Sequence, residues 1–271
     1  MRLMFRQFLV IAVVSLWGLG PAWAEPRTTT AAVRYEFTFA GIPFGWTRYE
    51  GTFGPAGYTA RASFQTSGLV SVFWQAAIEA SAAGRLNAHA LDPDWYDSLY
   101  RRGSGRQQRV KIEFGQGEPK TLAEPAYDTT TYPVTAAQKR EADDPMSALA
   151  LIATGLTATS KDLCGTVAPV FDGKRRYDLA FTYVKDVPVK FRGGLFTGTA
   201  HLCQVQYRQI AGYKQKILKE GQQWPSIYCW MAEIPHPSSP TGRYLVVLKL
   251  WANTKWGRLE ARLTERTFTS P

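Results

Sequence analysis

One short segment, residues 144–155, constrains the fold of this chain more than any other, because it has the composition and the boundaries of a helix. Asp144 can cap the first turn, and Pro145 suits the first helical position, where its missing N–H is not needed. Gly155 can end the helix in a left-handed conformation. A helix of this length spans about 15 Å, roughly half a bilayer, so it belongs in a protein core and not across a membrane.

The composition of this helix also says what must surround it. Its residues are apolar on almost every side, with one stripe at helical spacing formed by Met146, Leu149, Ala150 and Ala153. Such a helix requires burial on several sides. We therefore expect a strongly curved sheet to wrap around it.

The rest of the chain predicts strands. Residues 32–40 alternate apolar and polar side chains, and residues 46–53 and 58–65 continue the pattern, which predicts a three-strand meander. Strand patterns recur at residues 75–82, 84–91, 95–102, 106–114, 177–183, 198–208, 226–234, 243–253 and 257–268, while residues 67–74 fit either a short helix or a strand. The fold class that follows is all-β and mainly antiparallel: a strongly curved sheet or an open β-barrel wrapped around one short buried helix.

Two connections have distinct patterns. Asp172-Gly173 stands between two alternating apolar runs, which predicts a hairpin with a tight turn that places both central residues at positive φ. Residues 123–143 have no periodicity and predict a long surface excursion before the helix. We interpret this segment as a candidate lid or partner-contacting arm.

The first 24 residues have the pattern of a secretory signal peptide. Arg2 and Arg6 precede an apolar run at residues 8–17, and Ala22-Trp23-Ala24 matches a cleavage site. An uncleaved anchor is the alternative, but the apolar run is short for a membrane span. We expect residues 1–24 to be removed and residues 25–271 to form a single β domain that is soluble in an extracytoplasmic compartment.

The charge of the chain bears on its partners. The formal net charge is +10, with the positive residues dispersed along the sequence. For an exported protein, nucleic acid is a poor partner, and anionic lipid head groups, lipopolysaccharide or acidic glycans suit a basic surface better. The alternative is a basic surface that serves solubility alone.

Several motifs together resemble a known family. They are the Asp-Pro-x-Ser-Ala-Leu helix at 144–149, Cys164-Gly165, the hairpin Phe171-Asp172-Gly173-Lys174-Arg175-Arg176-Tyr177-Asp178-Leu179, Cys203-x-Val205-x-Tyr207 and Ile210-Ala211-Gly212-Tyr213. The chain resembles the exported Gram-negative proteins catalogued as domain of unknown function 3108. This resemblance implies a periplasmic, all-β protein with no established catalytic role.

The resemblance also bears on the three cysteines. Similar family members carry cysteines at the positions of Cys164 and Cys203, which implies a disulfide between these two residues. A bond between Cys203 and Cys229 is the alternative. In the first case Cys229, within an aromatic strand, is a buried thiol.

The sequence gives little support for catalysis. His89, His201 and His236 are scattered, no metal-ligand spacing is present, and no phosphate-binding glycine loop occurs, so we predict no catalytic, metal or cofactor site. A group of carboxylates around Pro93 could serve a hydrolase acting on envelope polymers, although turn chemistry explains it better: Asp92, Asp94 and Asp97.

Aromatic residues are the remaining signal. They predict an apolar groove inside the curved sheet for an acyl chain, with these candidate lining residues: Trp46, Tyr49, Tyr177, Phe181, Tyr207 and Trp230. The alternative is an ordinary core filled by the helix. The sequence thus predicts a non-catalytic envelope-maintenance or binding factor that engages acyl lipid, anionic glycan or an envelope protein. The alternatives are the hydrolase and a scaffold that pairs strands with a partner.

Overall fold

The computed structural model describes residues 28–87, 90–159, 162–220 and 225–270. The predicted signal peptide at residues 1–24 lies outside the described residues, as do His89 and Trp224. Within the described ranges, no helix has both the length and the apolar character needed to cross a bilayer.

Strands make up most of the described chain. The first seven are β1 (Thr29–Phe39), β2 (Ile42–Gly54), β3 (Gly57–Thr66), β4 (Ala76–Leu86), β5 (Leu91–Arg102), β6 (Gln107–Glu113) and β7 (Lys120–Glu124). The other six are β8 (Val167–Phe171), β9 (Arg176–Lys190), β10 (Thr197–Ala211), β11 (Ile227–Pro235), β12 (Arg243–Thr254) and β13 (Gly257–Thr269).

These strands form one 13-stranded antiparallel sheet in the order β7-β6-β5-β4-β3-β2-β1-β13-β12-β11-β10-β9-β8. Each half is a meander of neighbouring strands, and the pairing of β1 with β13 joins the first strand of the chain to the last. The sheet does not close, and β7 and β8 are its two edges. The predicted fold class, an open curved sheet around one short helix, is confirmed.

Among the described residues, four α-helices accompany the sheet: α1 (Val70–Phe73), α2 (Ala136–Arg140), α3 (Pro145–Thr154) and α4 (Gln215–Glu220). The predicted helix is α3. Asp144 caps it by accepting hydrogen bonds from the backbone N–H groups of Met146 (2.8 Å) and Ser147 (3.0 Å), and Gly155 ends it at φ 62°. The predicted apolar stripe is wrong in one member, because Leu149 is 40% exposed.

The helix packs on one face of the sheet, which we call the inner face. Met146 belongs to a buried cluster with Tyr49 of β2 and Phe171 of β8. Ala150 and Leu151 belong to a second cluster, with residues of β1 to β3 and of the C-terminal strands. Because α3 contacts β3, β4, β5, β8 and β12, it bridges strands far apart in the sheet order.

The hairpin predicted at Asp172-Gly173 is present, but its turn is not the two-residue type. The loop between β8 and β9 covers residues 172–175, and only Gly173 has positive φ, at 90°. The Asp172 side chain accepts hydrogen bonds from the backbone N–H groups of Lys174 (2.9 Å) and Arg175 (2.7 Å). With these two hydrogen bonds from its side chain, the loop reverses the chain with a single positive-φ residue instead of the two that a primed turn requires.

The same turn brings the two edges of the sheet together. A Cβ placed on Gly173 would lie 2.6 Å from Val110 Cγ1 of β6 and 3.1 Å from Thr121 Cγ2 of β7. The β8–β9 turn therefore packs against the strands at the opposite edge of the sheet without pairing with them.

Some local predictions require correction. Residues 76–86 form one strand where two were expected, and β7 was not predicted. Residues 67–74 contain the short helix α1, which is one of the two alternatives that the sequence left open. The excursion at residues 123–143 holds α2, which has a capping box between Thr135 and Gln138. It ends where Asp143 bridges Val170 of β8. The capping box is a local signal that hydrophobic periodicity misses, whereas the bridge to Val170 depends on a distant strand.

Cys164 and Cys203 form a disulfide with a Cα–Cα distance of 5.7 Å. The bond ties the segment after α3 to β10. Cys229 is a free and fully buried thiol, and burial raises its pKa to about 12.

Candidate ligand-binding site

A row of aromatic and charged side chains crosses five adjacent strands. Trp230 of β11 pairs with Lys249 of β12, and Lys249 pairs with Arg262 of β13. Arg262 pairs with Glu36 of β1, and Glu36 pairs with Trp46 of β2. Residues directly opposite each other on antiparallel strands point to the same face. We call these five residues the cross-strand row.

Lys249 has the most constrained position in this row. Its ammonium nitrogen lies 5.5 Å from the ring centre of Trp230 and 5.4 Å from that of Trp251. Its Nζ is also 2.8 Å from Glu260 Oε2, and the two side chains are only 12% and 13% exposed. Two aromatic rings and a carboxylate therefore hold this cation in place.

Glu260 connects two cations. Besides Lys249, it accepts a hydrogen bond from Arg262 Nη2 at 2.7 Å. Partial burial acts to raise the pKa of Glu260, but the hydrogen bonds from Lys249 and Arg262 outweigh it, and the pKa lies below its ordinary value. The carboxylate is thus charged at neutral pH and orients both cationic groups.

At the other end of the row, Arg34 of β1 stacks over Trp46. The guanidinium carbon lies 4.3 Å from the indole ring centre, while Arg34 Nε is 3.8 Å from Glu265. A cation thus lies over an aromatic ring at each end of the row: Lys249 over Trp230 and Arg34 over Trp46.

A cavity of about 1080 Å³ borders the row and the hairpin formed by β9 and β10. Its lining cations are Lys190, Lys249, Arg258 and Arg262, and its lining anions are Glu36 and Glu260. Apolar surface comes from the hairpin side, including Phe191 and Leu195, and from Trp230. The volume lies just above the usual range for small-molecule sites, and the excess of cations favours an anionic ligand.

A second cavity, of about 1020 Å³, lies where the two edges of the sheet meet. Its walls are the β6–β7 turn, part of the predicted excursion and the β8–β9 turn. Lys139 of α2 forms an ion pair with Glu118 at 2.6 Å, and Lys174 lies 5.0 Å from the ring centre of Tyr127. The excursion thus forms a wall of this cavity. No residue of α3 lines this cavity or the one beside the row.

The six predicted groove residues have different surroundings. Tyr49, Tyr177 and Phe181 belong to or pack on the buried clusters of the inner face. Tyr207 lies with its ring centre 4.6 Å from that of Tyr177. Trp46 is three residues from Tyr49 on a regular strand, so the two side chains point to opposite faces.

Trp230 shares the face of Trp46 through the cross-strand row. Alternation along β2 thus separates Trp46 from Tyr49, whereas Trp230 also packs against the buried cluster that contains Phe181. The single groove lined by all six residues stays a prediction. Of the six, only Trp230 lines the cavity beside the row.

Sequence reasoning missed Lys249, Trp251, Glu260 and Arg262. A local signal was available, since Lys249-x-Trp251 and Glu260-x-Arg262 each place two polar or amphipathic residues on one side of a strand. What no local signal gives is that these two strands are neighbours in the required register.

Buried acids lie at the start of α3 on the inner face. Burial raises the pKa of Asp143 to about 7, and the negative charges of Asp144 and Asp92 add to the effect. Burial also raises the pKa of Asp144 to about 6, against the lowering effect of the hydrogen bonds from Ser147 and Met146. The Tyr58 hydroxyl hydrogen-bonds Ser147 Oγ at 2.6 Å. The first turn of the helix is therefore held by a connected polar cluster.

The carboxylates proposed for the hydrolase alternative do not line either cavity. Asp92 is paired with Arg85, and Asp97 accepts two hydrogen bonds from Arg109, at 3.0 and 2.6 Å. The backbone carbonyl of Asp94 accepts a hydrogen bond from the Phe114 N–H. These interactions are structural links between β4, β5 and β6.

The described histidines are in separate environments. His201 Nδ1 lies 2.8 Å from Asp186, and the His236 ring packs 5.7 Å from Tyr244. Among the residues that the structure describes, no three His, Cys, Asp or Glu side chains are grouped in a way that could hold a metal ion.

Comparison with known proteins gives a family and a fold. The sequence matches the family described as "Protein of unknown function (DUF3108)" over residues 34–264. A similar solved structure is the crystal structure of a beta-barrel-like protein of domain of unknown function DUF1849 from Brucella abortus. It shares 10% sequence identity, with a TM-score of 0.53 over 91% of this chain and 99% of that chain. At this identity the similarity shows the fold alone. Comparison with curated proteins found no match.

Proposed function

Because the chain belongs to the DUF3108 family, whose description assigns no activity, we propose a function from geometry: a non-catalytic binding protein of the cell envelope. It binds an anionic ligand with a flat or apolar body in the cavity beside the cross-strand row. The ligand chemistry is a carboxylate or phosphate joined to a sugar ring or an acyl chain. The pattern of residues 1–24 supports export to the periplasm, where such molecules occur.

The position of Lys249 between Trp230 and Trp251 carries this proposal. A cation held between two rings and a carboxylate has little freedom left to lose when a ligand binds. An incoming carboxylate or phosphate would take over part of the role of Glu260 and accept hydrogen bonds from Lys249 and Arg262. Trp230 and Phe191 line the cavity and would contact the apolar or ring portion of the ligand.

The composition of the cavity supports binding more than catalysis. The described residues that line it include no His or Cys. Of its two carboxylates, Glu36 lies opposite Arg262 in the register of β1 and β13, and Glu260 forms ion pairs with Lys249 and Arg262. A general acid or base works best when its pKa lies close to the pH at which the reaction takes place. A Glu260 held in the charged form by two cations does not meet that requirement.

Native mass spectrometry of gently purified protein tests the proposal first, followed by extraction and identification of any bound molecule. Calorimetric titration with two soluble probes, a short-chain phosphatidylglycerol and an oligomer of a uronic acid, then separates the lipid from the glycan source. We expect one of the probes to bind. If neither probe binds and no molecule co-purifies, the proposal is wrong.

Variants locate the site. Trp230→Leu and Arg262→Gln should each weaken binding of the active probe by about tenfold or more, since each removes one of the few groups that face the ligand. Arg48→Gln is the matched control, because Arg48 is an exposed cation outside the cavity whose hydrogen bond is to Glu50. Equal affinity in all three variants would place the binding site elsewhere.

A further inference from the structure

Four connections meet at one end of the sheet. The β1–β2 turn is joined to the β12–β13 turn by a hydrogen bond from Ala40 N to Arg258 O (2.9 Å). The segment containing α1 is joined to the start of β2 by a bond from Ser67 N to Phe44 O (2.9 Å). It is joined to the β5–β6 turn by a bond from Gly103 N to Gln75 O (3.0 Å). We call these four connections the apolar tip.

The apolar tip exposes large hydrophobic side chains. Phe73 is 91% exposed, Leu69 76%, Trp256 75% and Val72 73%, and Ile42 and Trp74 are also exposed. Helix α1 buries none of its residues. Single exposed apolar residues are ordinary, but a group contributed by adjacent connections marks an interaction surface.

The charge of the tip is of one sign. Residues 39–45, 66–76, 101–108 and 253–258 contain no Asp or Glu, although the whole chain has 22 of them. The same segments contain these cations: Arg101, Arg102, Arg106, Lys255 and Arg258. Lys255 lies over the Trp256 ring at 4.4 Å, and Arg101 is paired with Glu79 of β4.

Aromatic and basic groups also lie next to each other within the tip. A shallow cavity of about 530 Å³ is lined by Val72, Phe73 and Trp74 on one side and by Arg102 and Arg106 on the other. Aromatic side chains next to two arginines suit the boundary region of a bilayer, where the rings can contact acyl chains and the arginines can contact phosphate head groups. Trp is enriched at this boundary because its ring is amphipathic.

We propose that the apolar tip docks on the surface of a bilayer that contains anionic phospholipids. Leu69, Phe73 and Trp256 enter the interface, and the neighbouring cations contact lipid phosphates. The complete absence of acidic residues from four separate segments is the charge complementarity that favours this occupant over a second copy of the chain. Two copies would bring like charges together.

The tip adjoins the proposed ligand cavity, since Gly41 and Arg258 belong to its connections and also line that cavity. A docked protein would thus present the cavity near the membrane surface. The docking proposal stands without the ligand proposal, because the residues altered in its test do not line that cavity: Leu69, Phe73, Arg102 and Arg106.

Flotation of the protein with vesicles tests the docking. The full chain and its variants are incubated with vesicles of phosphatidylcholine alone or with added phosphatidylglycerol, so that any contribution of residues 1–24 is common to every sample. We expect binding to the vesicles with phosphatidylglycerol, which weakens as salt is raised. Leu69→Ser with Phe73→Ser, and Arg102→Gln with Arg106→Gln, should each reduce the bound fraction about tenfold.

Two controls match these variants. Leu122→Ser removes another exposed apolar side chain, on the edge strand β7, and Arg61→Gln with Lys111→Gln removes the same charge from other strands. Both should bind as the unaltered chain does. Binding that is equal in the tip variants and in the controls would overturn the proposal. So would self-association of the chain that the tip variants abolish.

Discussion

Cys203 of β10 lies directly opposite Cys229 of β11 in the register of the two strands, yet Cys203 is bonded to Cys164. The disulfide thus joins β10 to the segment that follows α3, and leaves the cross-strand neighbour as a buried thiol. Cys229 takes part in no disulfide, so substituting it removes no covalent link.

The first prediction concerns this disulfide. Cys164→Ser should lower the free energy of unfolding by about 4 kcal/mol, because the unfolded chain regains the entropy of a loop with a sequence separation of 39. Urea denaturation of the oxidised proteins measures the difference. Cys229→Ser is the control and should cost much less, while equal losses in the two variants would contradict the assignment.

The second prediction concerns pH. Burial raises the pKa of Asp143 from 3.8 to about 7, so between these values the folded protein keeps a proton that the unfolded chain releases. Stability should therefore fall as the pH rises through this window. Asp143→Asn should remove much of the decline and make the protein more stable at pH above about 7 by about 1–3 kcal/mol.

Thermal unfolding at a series of pH values measures this effect. The variant and the unaltered chain should converge below about pH 4, where the carboxyl is protonated in both states. Stability of the variant should still fall somewhat as the pH rises, since the pKa of Asp144 is also raised, to about 6. Glu141→Gln removes an exposed charge two residues away and should keep the full decline. A decline that persists undiminished in Asp143→Asn would refute the prediction.

The third prediction concerns the helix cap. Asp144→Ala should destabilise the protein by about 2–3 kcal/mol, because two buried backbone N–H groups lose their acceptor and the Ser147 hydroxyl loses one of its two partners. Asp144→Asn keeps one side-chain oxygen and should cost less. Chemical denaturation at neutral pH provides the comparison, and an Ala variant as stable as the Asn variant would show that the cap contributes little.

The fourth prediction concerns the contact between the sheet edges. Gly173→Ala should cost about 2 kcal/mol or more, since φ is 90° and the added carbon would lie 2.6 Å from Val110. Gly105→Ala is matched in backbone conformation, with φ 76°, but faces open space and should cost about 1 kcal/mol. Hydrogen exchange of β6 and β7 amides should increase only in the Gly173 variant. Equal behaviour of the two variants would mean that the turn does not pack as described.

The local elements of this protein follow from its sequence because their causes are local. The caps at Asp144 and Gly155 depend on neighbouring residues alone, and the alternation in β1 to β3 directly reflects a strand with one buried face. The family motifs likewise occupy short segments. The fold class was therefore predictable. By contrast, β7 and the extension of β9 to Lys190 were not, because these segments depend on pairing with distant strands.

The candidate sites depend on strand order and register. Pairing of β1 with β13 brings Glu36 beside Arg262, more than 200 residues away, and completes the cross-strand row. The apolar tip likewise forms only because four separate connections meet at one end of the sheet. The sequence by itself determined which segments are strands, which is the helix, and how each is capped. Tertiary structure alone decided which side chains share a face, since a register shift of one residue would move every side chain of a strand to the opposite side.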